Sequence, residues 1–276
     1  RSDVACCLFT LLFGSAVYFG AQFIGRMNSR FMALLGICYL GLVAIGLGHI
    51  KGENLELRSH WRESFGAFSM ILATYSYQMV VPSVCSFLGY DAAKLRKAIL
   101  IGTTVPFVIY SIWIFVIHGV VPLEEAGGLR EAWVNGQAAT SSLHKQLNYW
   151  LITGLADAFA FLAVVTSYFG LSMALFHFLN DCFTDIRIRT SRNMVVLLTL
   201  VPVLILAILY PRALLQFLDI SGGYGDTILS GLIPVTLVWV GRYYKNLQGE
   251  YTAPGGKLAL IATGCFFLWI LLLQMV

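Results

Sequence analysis

Apolar residues run in long blocks along this chain, separated by short clusters of charge. Blocks of the roughly 20 residues that a membrane-spanning helix needs lie near 4–24, 31–49, 65–90, 98–122, 149–180, 194–210, 213–241 and 257–276, here segments A to H. None shows the regular alternation of a membrane β-strand. The pattern therefore predicts an all-α, polytopic bundle of eight transmembrane helices forming one domain over 1–276. Segment C is the least apolar of the long blocks, and E is too long for a perpendicular span. The longest loop, 120–148, is expected to hold short helices around Leu129–Val134.

Composition agrees with that reading. Of the 276 residues, 58% are hydrophobic and 12% charged, whereas a soluble domain carries about 25% charged residues. So little charge cannot coat a water-facing surface, which excludes a soluble enzyme and a disordered chain. The 18 Lys+Arg against 14 Asp+Glu are diffusely placed and form no nucleic-acid patch. Six cysteines sit in or at the edges of apolar blocks without C-x-x-C spacing, so small buried hydrophobes are expected and no metal site. The chain opens on Arg1 and enters an apolar span within three residues; the expectation is that further sequence precedes it.

The loop charges set the orientation. Loops A–B, C–D, E–F and G–H hold 11 basic residues: Arg26, Arg30, Lys94, Arg96, Lys97, Arg187, Arg189, Arg192, Arg242, Lys245 and Lys257. The opposite loops hold 7 (Arg1, Lys51, Arg58, Arg62, Arg130, Lys145, Arg212), spread among glutamates. The first side is therefore cytoplasmic, segment A runs inward, and the chain ends outside.

Polar groups at bilayer depth must face protein or water, and ionisable ones are candidates for function. In segment C, Thr74, Tyr75, Ser76, Tyr77 and Gln78 are five consecutive residues with polar atoms, followed by Pro82. Five adjacent positions cover every face of a helix, and Ser76 lies about 17 Å from Phe65 at helical rise, near the midplane of a roughly 30 Å core. A broken helix whose unwound turn lines a cavity answers the problem; a kinked helix tied to its neighbours is the alternative. Segment E carries Asp157 and the pair Thr166-Ser167, which either offers oxygens to a cation or bonds its own backbone one turn back. Segment G carries Asp219 and Asp226 around Gly222-Gly223-Tyr224-Gly225. Asp226, about 20 Å from Ala213 at helical rise, is either a protonatable coupling group or a structural acid bonded across helices. The histidines sit at span edges or in loops, His177 near Asp181 being the one placed to titrate. No hydrolase, zincin, Walker or dinucleotide motif is present, so no enzyme activity is expected.

The run SYQMVVPSV, followed by GYDAAKLRKAILIGTTVPFVIY, resembles the aromatic amino acid permeases of bacteria, the tyrosine and tryptophan transporter group within the amino acid–polyamine–organocation superfamily. AFLAVVTSYFGLSMALFHFLNDCF is similar to that family's eighth helix, and GGYGDTILSGLIPVTLVW to its tenth. The likeness covers most of 4–276. It implies a LeuT-type inverted-repeat fold with A to H as spans four to eleven, the second repeat falling near 65–243. It implies ion-coupled symport of tyrosine or tryptophan into the cell by alternating access, in the bacterial cytoplasmic membrane and without a cofactor. The alternatives are an uncoupled facilitator or a non-transporting sensor. By position, the resemblance puts Tyr75, Ser76, Tyr77, Gln78, Phe161 and Ala163 at the substrate, and Thr166, Ser167, Asp226 and Asp157 at the coupling ion, a proton more than Na⁺. The partners it implies are the aromatic substrate and membrane lipid; oligomeric state is left open.

Overall fold

The structure is a computed structural model that describes residues 2–55, 63–78, 81–147, 150–210, 214–247, 249 and 252–275. It is helical, with no strand among the described residues. Six helical stretches are long and apolar enough to cross a membrane: Gln22–Leu47, Ala92–Val120, Trp150–Asp185, Arg192–Leu209, Gln216–Tyr244 and Gly256–Leu273. Asp3–Phe19 is a shorter apolar helix. Many large apolar side chains on these helices are exposed, Leu11, Ile37, Phe107 and Leu237 among them, as suits lipid-facing surfaces rather than water.

The chain divides into two compact units. The first comprises 1–56 and 111–212. Its helices are α1 (Ser2–Phe19), α2 (Ala21–Leu47), the later part of α5 (Ala92–Val120), α6 (Leu129–Val134), α7 (Ala139–Leu147), α8 (Trp150–Asp185) and α9 (Arg192–Leu209). Helix α8, 36 residues long, is its spine, and α2 lies antiparallel to it. Tyr39 meets Phe159 and Phe31 stacks on Phe169, while Gly41 lies against Leu155. One apolar core gathers Leu42, Val116, Leu143 and Ile152, and a second gathers Val17, Val165, Phe169 and Val195.

The loop expected between segments A and B is absent. Gly20 adopts φ 92°, a left-handed conformation that turns the chain, and α2 then starts at once, so Arg26 and Arg30 ride on a helix. Nothing in 21–47 breaks helical geometry. In the long loop, α6 spans Leu129–Val134 as expected, and Glu131 ties it down by accepting from the Gly127 N–H at 2.7 Å and the Lys145 ammonium at 3.2 Å.

The second unit comprises 57–110 and 213–276. It holds α3 (Ala67–Thr74), α4 (Val81–Phe87), the start of α5, α10 (Leu214–Ile220), α11 (Ile233–Trp239) and α12 (Gly256–Leu273). Between α10 and α11 the backbone widens to a π-helical segment, Ser221–Leu232. A β-carbon on Gly222 would collide with the Ser69 carbonyl and the Ala73 nitrogen, and one on Gly231 with the Phe267 ring. The glycines thus let the π-helical segment lie directly on α3 and on α12. Wide turns of this kind recur at functional sites.

Candidate functional site

Segment C is interrupted where its polar run falls. Helix α3 stops at Thr74, Tyr75 leaves helical geometry at φ −97° and ψ 12°, and α4 opens at Val81. The Tyr77 N–H is accepted by the Tyr75 carbonyl at 3.0 Å, so this backbone closes on itself in a tight turn. Met79 and Val80 lie outside the described residues, as does the Pro82 side chain.

The freed turn hands its side chains to segment G. The Ser76 hydroxyl lies 2.5 Å from Oδ1 of Asp226 and 2.9 Å from Oε1 of Gln78, and the Gln78 amide donates to the same Asp226 oxygen at 3.0 Å. Asp226 is 7% exposed. The next residue, Thr227, is fully buried and its hydroxyl donates to the Gly222 carbonyl five residues back, the reach of the widened helix. The ion pairs among the described residues, Lys94–Asp91, Arg130–Glu124 and Lys145–Glu131, include neither Asp226 nor Asp219. A buried carboxylate paired with a cation is locked in its charged form. Here its neighbours are neutral, and both can reverse their hydrogen-bonding role. A serine hydroxyl donates or accepts, and a glutamine presents either its amide hydrogens or its oxygen. The pocket thus satisfies an ionised carboxylate and a protonated acid alike.

The other residues of the break point elsewhere. Tyr75 meets the Tyr110 ring edge-on at 5.9 Å, and the half-exposed Tyr77 pairs its hydroxyl with Thr103 at 2.8 Å. Both rings therefore turn toward α5.

The α8 candidates belong to the first unit. Thr166 is buried and donates to the Leu162 carbonyl at 2.8 Å, with the Ala163 carbonyl at 3.2 Å, the back-bonding alternative of the sequence reading. Ser167, one position on, is exposed, as is Asp157. Phe161 is half-exposed and meets Phe13 edge-on at 5.9 Å; Ala163 is partly buried. A cavity of about 600 Å³ opens among α1, α8 and α9, walled by Phe9, Val164, Leu171 and Leu200 with hydroxyls from Tyr168 and Ser172. None of its lining residues carries a charge, so it has nothing to match the two charges of a free amino acid.

Sequence reasoning passed over Ser69 and Gln274. The Ser69 hydroxyl donates to Oδ1 of Asp219, and the Gln274 amide donates to Oδ2 at 2.9 Å. Ser69 looks like an ordinary small helix residue, and Gln274 falls in the last residues of an apolar block. Only a three-dimensional neighbour identifies either one.

Long apolar helices, a helix interrupted at its polar run, and a buried acid dressed by neutral polar groups define a polytopic helical membrane protein with an internal polar site. More specifically, the chain belongs to the tryptophan/tyrosine permease family, whose model matches residues 1–274. A tyrosine-specific transport system 2 of Haemophilus influenzae is 26% identical over 93% of this chain and 63% of its own length. A tryptophan-specific transport protein of Shigella flexneri is 25% identical over 92% of this chain and 62% of its own. A glutamine transporter 2 of Aliivibrio fischeri is 28% identical over 99% of this chain and 69% of its own. The chain thus spans less than two thirds of the length of the tyrosine and tryptophan relatives. No solved structure matches it.

Proposed function

We propose that this protein works in secondary active import of an aromatic amino acid, tyrosine or tryptophan, across the bacterial cytoplasmic membrane, with Asp226 carrying a coupled proton. The observation that carries the reading is Asp226 buried against the unwound turn of segment C, held among the described residues by Ser76 and Gln78. A group that must be charged in one half of a cycle and neutral in the other needs partners that serve both forms. Ser76 and Gln78 are such partners, whereas an arginine or lysine would hold the acid ionised. Tyrosine and tryptophan transport in the relatives supports the substrate class. The tyrosines of the break, Tyr75 and Tyr77, turn toward α5 and stand as substrate-side candidates on the resemblance, while the broken backbone supplies donors for a carboxylate.

In this reading eight segments cross the membrane, with Asp3–Phe19 and the two pieces of segment C joining the six long helices, in a LeuT-type arrangement that alternates access. Phe161 and Ala163 stand as substrate-side candidates of α8, and Thr166, Ser167 and Asp157 as its ion-side candidates, on the resemblance alone.

The test is uptake of labelled tyrosine and tryptophan by full-length protein in proteoliposomes, under an imposed pH gradient and an imposed Na⁺ gradient separately. The pH gradient alone should drive accumulation, and Asp226→Asn should abolish it while substrate counterflow persists. Accumulation that follows only Na⁺, or that survives Asp226→Asn, would remove the proton from Asp226. Flux that rises linearly with concentration and shows no trans-stimulation would mark a facilitator instead.

A further inference from the structure

Helix α3 and the α10–π stretch run parallel, and the same chemistry occurs on them twice. Ser69 meets Asp219, and seven residues further along both strands of the pairing Ser76 meets Asp226. Each acid also takes a glutamine side-chain amide, from Gln274 in the first case and Gln78 in the second. At helical rise the two acids are separated by about 10 Å along the segment. Close passage of the backbones at Gly222, between the two pairs, keeps them on one seam.

We infer that Asp219, with Ser69 and Gln274, is a second proton-accepting station on the path that serves Asp226. The inference rests on the proton-coupled reading of Asp226. Ser69 is buried at 4% exposure and Asp219 is half-buried, so the acid is enclosed on the side of α3 and open on the other. Both segments run inward by the loop charges, and Asp219 precedes Asp226 in the chain. Asp219 therefore lies on the external side, where a proton driven by an inward gradient enters. As at Asp226, its hydroxyl and amide partners satisfy the acid with or without its proton. Helix α3 brings no titratable side chain to Asp219. The π-helical segment brings Tyr224, whose hydroxyl donates to the Gln274 carbonyl, and Asp226 itself. Helix α12 brings Lys257 and Cys265, both well before Gln274 in the chain.

Asp219→Asn in the full-length protein tests this. The expected result is a loss of at least about tenfold in pH-driven accumulation, with tyrosine or tryptophan counterflow, which moves no net proton, kept within about twofold. Accumulation equal to the parent, or a joint loss of accumulation and counterflow, would overturn the station, the latter marking a structural acid. Ser69→Ala provides a test should Asp219→Asn fail to reach the membrane. Losing the hydroxyl that meets Asp219 should lower pH-driven accumulation by roughly threefold or more with counterflow kept within about twofold; accumulation equal to the parent, or a joint loss of both, would overturn the proposal. Asp226→Asn is measured alongside. If it retains accumulation, the proton-coupled reading fails; if it loses accumulation while Asp219→Asn retains it, only the second station fails.

Discussion

At Gly222 a missing β-carbon decides how closely two polar segments can approach. Alanine there would push into the Ser69 carbonyl, a backbone atom that cannot swing aside. Overpacking of this kind costs about 1–3 kcal/mol, and it would also part Ser69 from Asp219 and Ser76 from Asp226. Gly222→Ala should therefore lower the thermal stability of the detergent-solubilised protein and weaken transport. Gly225→Ala is the control, because among the described residues the Ser221 hydroxyl alone, at 4.0 Å, comes near its added carbon and alanine is the better helix former; unchanged or higher stability is expected. If both variants melt alike, close approach at Gly222 is not what holds this seam. The polar members of the site were legible one by one, since Ser76, Gln78 and Asp226 each stand out as polar positions in apolar blocks. Their pairing was not legible, because it joins residues 148 to 150 apart in the chain. Ser69 and Gln274 lay hidden for the same reason: neither breaks a local pattern.

Among the elements, what the sequence announced most clearly was the break in segment C. Five adjacent polar residues cannot all avoid lipid on a regular helix, so the expectation followed from geometry rather than propensity. The widening of segment G was less accessible. Its glycines permitted a bend or a close contact, and the structure uses the close contact within a helix that stays continuous but loosens. Where α5 begins was also obscured, because its first turn is charged and polar. Asp91 starts it, accepting from the backbone N–H of Ala93 and of Lys94, each at 3.0 Å. The Lys94 N–H, with the Lys94 ammonium 3.1 Å away, holds the Asp91 carboxyl below its ordinary value. A carboxyl depressed in the folded state contributes stability above its unfolded value, and that contribution disappears as pH falls through the folded value. Below about pH 4 the parent should therefore lose a small increment of thermal stability that Asp91→Asn does not lose, since an asparagine caps without titrating. Parallel melting curves for parent and variant across that range would show that the cap does not titrate with folding.

For the whole molecule, the orientation rests on where the basic residues lie rather than on any single helix. If eight segments cross, eleven basic residues fall on one side and seven on the other, and cytoplasmic loops attract Lys and Arg. Two structural findings bear on this argument. Arg26 and Arg30 sit on α2 rather than in a loop, yet they occupy its first turns beside the reversal at Gly20. Segment C is two short helices rather than one and is not among the six stretches long enough to cross a membrane, so its crossing belongs to the proposed eight-segment arrangement. What fixes the parity within the first unit is α8. Its 36 residues connect the acidic 120–148 stretch to the basic 186–192 stretch without interruption and are long and apolar enough to cross a membrane, so the proposed topology puts those two ends in opposite compartments. Single cysteines in a cysteine-free background, at Gln137 before α8 and at Ile188 after it, both on exposed positions, make this measurable in intact cells. A membrane-impermeant thiol reagent should label Gln137→Cys directly and Ile188→Cys only after permeabilisation. The reverse pattern would invert every span, place Asp219 on the cytoplasmic side of Asp226, and turn the proposed entry station into an exit. Equal labelling of both sites would mean that α8 does not cross the membrane and would overturn the topology.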